Sequence, residues 1–215
     1  MTDVWSERAQ AFRDSAVHRE GPDLDLLVEW CEPAPGVVAL DVATGGGHVA
    51  RRLREAGCDV VSVDPAPGMQ ATVVARSEDL PFADDSFDVV ACRIAPHHFE
   101  NVRAAVGEMA RVSRNLVVVE DNVFVSEEVE EAERLRDPTH VRCYSEDEWR
   151  SFFADARLVV EDERSFDRRA VVEDWLDRVA TPADDAARVR ELLSDRIEDG
   201  NVLLRAVVFK TRKAG

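Results

Sequence analysis

Five short apolar runs, most of them valine-rich, recur along the first part of the chain with helix-like segments between most of them. They are VVALDV at 37–42, DVVSVD at 59–64, TVV at 72–74, FDVVACRI at 87–94 and LVVVED at 116–121. A strand with one wet face alternates apolar and polar residues, whereas a strand covered on both faces does not. Continuous runs that take turns with helices therefore predict a parallel sheet with helices on both faces. Residues 48–56 read as a helix closed by Gly57, and 101–113 as one with Val102, Ala105, Val106, Met109 and Val112 on a single face. Upstream, 2–18 and 23–32 read as helices. Downstream, 126–136, 145–155, 171–179 and 184–198 read as helices, LVVEDERSF as a strand, and NVLLRAVVFKTR as the closing strand. That last strand suits the same sheet, so the 215 residues read as one domain.

The segment LDVATGGGHVA (40–50) puts three consecutive glycines between the first strand and a helix. Gly45 and Gly47 allow a tight turn and bring backbone N–H groups close to a ligand. Asp64 ends the next strand, where a carboxylate can accept both hydroxyls of a ribose. The ligand class is therefore an adenine nucleoside derivative. Gly45-x-Gly47-x-x-Ala50 also satisfies the dinucleotide fingerprint, which keeps an NAD(P)-dependent oxidoreductase as an alternative. Asp41 separates the two. A carboxylate beside a pyrophosphate is repelled, whereas one beside a sulfonium and an ammonium is favoured. A short-chain oxidoreductase also needs a lysine four residues after its tyrosine, and the residue four after Tyr144 is Glu148.

VVALDVATGGGHVARRL resembles the first motif of the class I S-adenosylmethionine (SAM)-dependent methyltransferases, and VVSVDPAPGM resembles their second. SEDLPFADDSFDVVACRIAPHHFENVRAAVGEMARVSR is similar to the ubiquinone/menaquinone-type group of that family, and RDPTHVRCYSEDEW resembles a later segment of some members. The resemblance implies a Rossmann-like α/β fold: a seven-stranded, mostly parallel sheet of order 3-2-1-4-5-7-6, last strand antiparallel, helices on both faces. It implies SAM as cofactor and S-adenosylhomocysteine as product. Asp41, Ala43, Gly45 and Gly47 would line the methionyl side, Asp64 would take the ribose, and Pro65 and Met69 would flank the adenine. Ser77 and Glu78 would lie at the adenine edge, and Arg93 near the methionyl carboxylate or the substrate mouth. Residues 1–32 would form an N-terminal helical cap, and about 123–150 and 171–198 the lid helices of the substrate pocket.

Three departures from the family pattern stand out. Ala43 occupies the usual first glycine, and Arg76 falls where the family carries an adenine-contacting acid, leaving that role to Glu78 or to no residue. Only eight residues separate Asp64 from Val73, where a parallel crossover takes about a dozen or more, so the intervening helix shrinks to about a turn. RVSRN also runs into LVVVE without the usual glycine pair.

The reaction implied is methyl transfer to a small molecule, with a non-catalytic SAM-binding module as a second alternative. His97, His98 and Tyr144 are the candidate bases. Adjacent histidines diverge on a helix, so the pair is no chelate and no metal is expected. A packed turn at His97–Phe99 is an equal reading, and Glu120 and Asp121, at the carboxyl end of the sheet, read equally as residues that meet a substrate or as solvated strand ends. Trp149, Trp175, Phe152 and Phe153 read as core or lid packing. The net charge of −17 disfavours nucleic acid and anionic membrane as partners. Lys210 and Lys213 are the only lysines, and with the acidic excess they read as salt adaptation. Four scattered cysteines and no signal-like N-terminus suggest a reducing cytoplasm.

Overall fold

The computed structural model describes residues 3–215. After α1 (Val4–Asp14), α2 (Ala16–Arg19) and α3 (Pro22–Trp30), the chain forms β1 (Val38–Val42), α4 (His48–Glu55), β2 (Asp59–Asp64), β3 (Val73–Val74), β4 (Phe87–Arg93), α5 (Val102–Val112) and β5 (Ser113–Asn122). The remainder is α6 (Glu127–Arg136), α7 (Glu146–Asp155), β6 (Leu158–Val171), α8 (Val172–Asp177), α9 (Ala183–Leu192), β7 (Ile197–Glu198) and β8 (Asn201–Lys213). The sheet order is β3-β2-β1-β4-β5-β8-β6. Strands β3 to β5 are parallel, and β8 runs antiparallel between β5 and β6. This is the expected order, with β8 in the place of the seventh strand and β7 as a small addition paired to it. Among the described residues no helix is long and apolar enough to cross a membrane.

The two faces of the sheet sort the valine runs by alternation. Ala39, Val89, Ala91, Leu116, Val118 and Val208 face α3 and α4, meeting Leu24, Leu27, Val49 and Leu53. Leu40, Val42, Val90, Cys92, Val117 and Val119 face α5 and α7, meeting Val106, Met109 and Trp149. All four cysteines are free and buried.

The shortened connections fold as their lengths require. Between β2 and β3 a single 3-10 turn, Pro67–Met69, replaces a helix. Between α5 and β5 there is no loop: Ser113 ends the helix in an extended conformation and enters the strand directly. Its hydroxyl donates to the Leu116 carbonyl at 3.0 Å.

Two helix expectations need correction. The helix expected over 2–18 begins outside the described residues, and over 3–18 it is two helices, because Ser15 turns extended (φ −66°, ψ 113°) between them. The helix expected over 184–198 ends at Leu192, and Ile197–Glu198 is strand. The cause is the Asp199-Gly200 pair. Both residues have positive φ (49° and 74°), the geometry of a two-residue hairpin turn, and Glu198 pairs with Asn201 across it. Beyond the main sheet, the extended ends of β6 and β8 carry α6, α8 and α9 around Trp175, Leu176 and Val189.

Trp149 is fully buried between Phe153, Phe152, Tyr144 and Phe209, and its indole N–H has no acceptor among the described residues. Trp149→Ala is expected to cost about 3–5 kcal/mol in denaturant unfolding. Trp149→Phe keeps a ring and removes the unpaired donor, so it should cost less than half as much.

Candidate functional site

The glycine turn is held from below by two carboxylates. Asp41 leaves β1 fully buried, and one of its oxygens accepts from the Thr44 hydroxyl (2.6 Å) and the Ala50 amide (3.0 Å). Asp64 leaves β2 and accepts from the Gly45 amide (3.0 Å) and the Ala66 amide (2.9 Å). It thereby ties the turn to the neighbouring strand. Burial pushes the Asp41 carboxyl up to about 6 against its Thr44 and Ala50 hydrogen bonds. Burial also raises Asp64, against its two backbone donors. Each carboxylate is thus short of positive charge, and a cationic ligand would supply it.

Both acids line a cavity of about 330 Å³, within the range of small-molecule sites. Ala43 and Gly45 form its floor, each at a left-handed φ (54° and 50°). Pro65 and Met69 line it from the 3-10 turn. Ser77 and Glu78 close another wall, where the Ser77 hydroxyl donates to Glu78 at 3.1 Å. Arg76 also reaches the cavity, with its guanidinium drawn to Glu100 (3.0 Å) and Glu78 (3.5 Å). Arg93 and His98 complete the predicted set on this cavity. Arg93 is not a free cation: its nitrogens donate to Glu120 (2.7 Å), the His18 carbonyl (2.9 Å) and Asp23 (2.5 Å).

Gly47 does not line the cavity; it sits at φ 77° as the residue from which α4 starts. Tyr144 lines neither this cavity nor the smaller one beside it, so its place among the candidate bases needs correction. Its ring packs edge-on to Phe152 (5.1 Å) and Trp149 (6.1 Å), in the apolar layer beneath α7. Trp5 and Phe12 were missed. They stand seven residues apart on α1, a helical spacing that would have put them on one face, and both line the cavity.

The approach of α1 depends on two glycines. A Cβ on Gly68 would lie 2.6 Å from the Ser6 Cα, and one on Gly46 would lie 2.8 Å from the Phe12 carbonyl oxygen. The Gly68 amide donates to the Ser6 hydroxyl (2.8 Å), and Arg13 donates to the Gly68 carbonyl (3.1 Å).

A second cavity of about 50 Å³ adjoins the first and shares Phe12, His18, Ile94 and His98 with it. Ile94 sits at φ 51°, a conformation in which a β-branched residue is strained. His97 lines the smaller cavity, and its Nδ1 lies 2.5 Å from Asp121 Oδ1, so one proton lies between them. The other Asp121 oxygen has no partner among the described residues. Burial takes the His97 imidazole down to about 3 and lifts the Asp121 carboxyl to about 7. His98 is also driven down to about 3, by burial and by His97 beside it. Its Nδ1 faces the Thr139 carbonyl at 3.0 Å.

A family profile described as a methyltransferase domain matches residues 40–117. An uncharacterized methyltransferase of Bacillus subtilis, YcgJ, is 34% identical over 202 residues, 84% of this chain and 80% of that one. The crystal structure of YcgJ superposes with a TM-score of 0.82 at 27% identity, covering 89% of this chain and 98% of that one. A demethylmenaquinone methyltransferase of Renibacterium salmoninarum is 35% identical over 44% of this chain and 46% of its own length. The matched stretch includes the glycine turn and both of its carboxylates, Asp41 and Asp64. The chain is a member of the class I SAM-dependent methyltransferases.

Proposed function

We propose that this methyltransferase transfers the methyl group of SAM to a small molecule. The observation that carries this reading is the pair of adjoining cavities: a larger one with two buried acids, and a small one reached past Ile94 and His98. The second has room for part of a small molecule and none for a polymer. When bound, the sulfonium supplies an already activated methyl group.

The chain's own residues bind, orient and exclude water. Asp41 would face the positive methionyl end, Asp64 would accept from the ribose hydroxyls, and Met69 and Pro65 would flank the adenine, with Ser77 and Glu78 at its edge. Helices within 1–32 would act as a cap over the cofactor, and those within about 123–150 and 171–198 as the wall of the acceptor pocket, all in one domain. His97 would hold the acceptor's proton at Nε2, oriented by Asp121. His98 would stand at the junction. The match to the demethylmenaquinone enzyme covers less than half of this chain, so the acceptor is read from these cavities rather than from that name.

Calorimetric titration with S-adenosylhomocysteine tests the cofactor half of this reading. Asp64→Asn is expected to weaken binding about tenfold to a hundredfold, the value of a charge-assisted hydrogen bond. Equal affinity in both proteins would remove Asp64 from the site.

Gly68→Ala tests the cap. The added methyl must push Ser6 and α1 outward, a strain of about 1–3 kcal/mol. The expected result is about tenfold weaker binding of S-adenosylhomocysteine with the sheet's unfolding transition preserved.

The His97–Asp121 pair sets a pH dependence. Below about 7 the neutral Asp121 donates to Nδ1, which leaves the ring proton on Nε2 and blocks it as an acceptor. Above that pH the carboxylate accepts from Nδ1–H and frees Nε2. The His97 Nε2 nitrogen NMR signal should therefore move from protonated to unprotonated as pH rises through about 7. In Asp121→Asn this step should vanish, with turnover falling by a factor on the order of 10²–10⁴. The raised carboxyl also fixes the sign for stability. The stability it contributes is present below its ordinary value of 3.8 and is lost as pH rises through about 7.

A further inference from the structure

The smaller cavity is positive in a chain whose net charge is −17. Arg136, Arg168 and Arg178 line it, against Asp137 as its one acid. Three of these four charges are already satisfied. Asp137 accepts from Arg8 (3.0 Å) and from the Thr139 hydroxyl (2.7 Å). Arg136 donates to Glu133 (2.9 Å) and lies 4.3 Å over the Trp175 ring. Arg168 donates to Asp23 (3.1 Å), to Asn122 (3.1 Å) and to Glu120.

Arg178 is different. Among the described residues its side chain has no hydrogen bond and no ion pair, although it is only half-exposed at the cavity wall. Burial, together with Arg136 and Arg168, pulls its guanidinium down to about 10, and Asp174 offsets this only from a distance. Across the cavity, burial keeps His18 neutral, and Arg178 and Arg168 reinforce that. A guanidinium partly withdrawn from water and without a partner is unfavourable on its own and becomes favourable once an anion pairs with it.

We propose that Arg178 is the receptor for a carboxylate on the methyl acceptor. This rests on the small-molecule reading above and names its substrate class: a small organic acid, its carboxylate docked on Arg178 and its acceptor atom towards His97 and the junction with the larger cavity. The size fits. A water needs about 10–15 Å³ of cavity space, so a cavity of about 50 Å³ has room for a carboxylate group. The planar guanidinium fork also matches a carboxylate in two parallel hydrogen bonds. Asn122 and His97 also line this cavity.

The test uses the whole protein saturated with S-adenosylhomocysteine and titrated with sodium acetate, against sodium chloride at equal ionic strength. Wild type should bind acetate saturably above the chloride control. Arg178→Gln should lose about tenfold to a hundredfold in acetate affinity, and Arg178→Lys should keep part of it. Affinity for S-adenosylhomocysteine should be the same in all three. No saturable acetate response in wild type overturns the proposal, as does an equal response in Arg178→Gln. If S-adenosylhomocysteine binds to none of the three proteins but acetate titrated without it still binds through Arg178, the anion site stands and the cofactor reading fails.

Discussion

Glu120 is fully buried, yet it takes one arginine on each carboxylate oxygen: Arg93 at 2.7 Å on one, and Arg168 on the other. Asp23, at the start of α3, accepts from the same two arginines. Burial opposes its charge, but the two guanidiniums hold its carboxyl well below the usual range. Two acids and two arginines make a neutral cluster, the condition under which buried charge is tolerated. Its members come from α3, β4, β5 and β6, so it joins the N-terminal helices, the sheet and the extended hairpin at the carboxyl ends of the strands. Both cavities are built on this junction. Arg93 lines the larger and Arg168 the smaller.

Next along β5, Asp121 meets the opposite fate. Consecutive strand residues point to opposite faces, so Glu120 turns to the arginines and Asp121 turns to His97. Asp121 has no guanidinium, and one of its oxygens has no partner among the described residues. Burial lifts both carboxyls to about 7, so what separates them is their partners: two guanidiniums oppose the rise at Glu120, whereas Asp121 faces only His97 among the described side chains. Sequence alone left both open between meeting a substrate and being solvated strand-end charges, since nothing local separates two adjacent acids that differ only in what faces them.

The same distinction explains how far the sequence was legible. The valine runs, the glycine turn, and Asp41 and Asp64 were readable because strand burial and the turn are local matters of period and spacing. The Pro67–Met69 turn followed from chain length alone. The Asp199-Gly200 hairpin was also local, but the charged stretch before it continued a helical pattern and hid it. Tyr144, the only tyrosine in the chain, lines neither cavity because its ring packs on Trp149 and Phe152, a tertiary contact. His97 and Asp121 lie 24 residues apart, and Arg168 and Asp23 lie 145 apart. No period in the sequence reports such pairs. Arg178 stands out only once the partners of every other arginine on its cavity are known.

The charge of the whole chain bears on how these cavities fill. At −17, the surface would draw a cofactor carrying a sulfonium and repel the carboxylate proposed for Arg178. At molar salt the screening length falls to about 3 Å, so both long-range effects fade. A guanidinium partly withdrawn into a cavity wall is screened less than a fully exposed charge. Long-range attraction by the surface and pairing at the cavity wall therefore respond differently to salt. The buried cluster itself uses arginine for the planar, paired contacts that lysine cannot make.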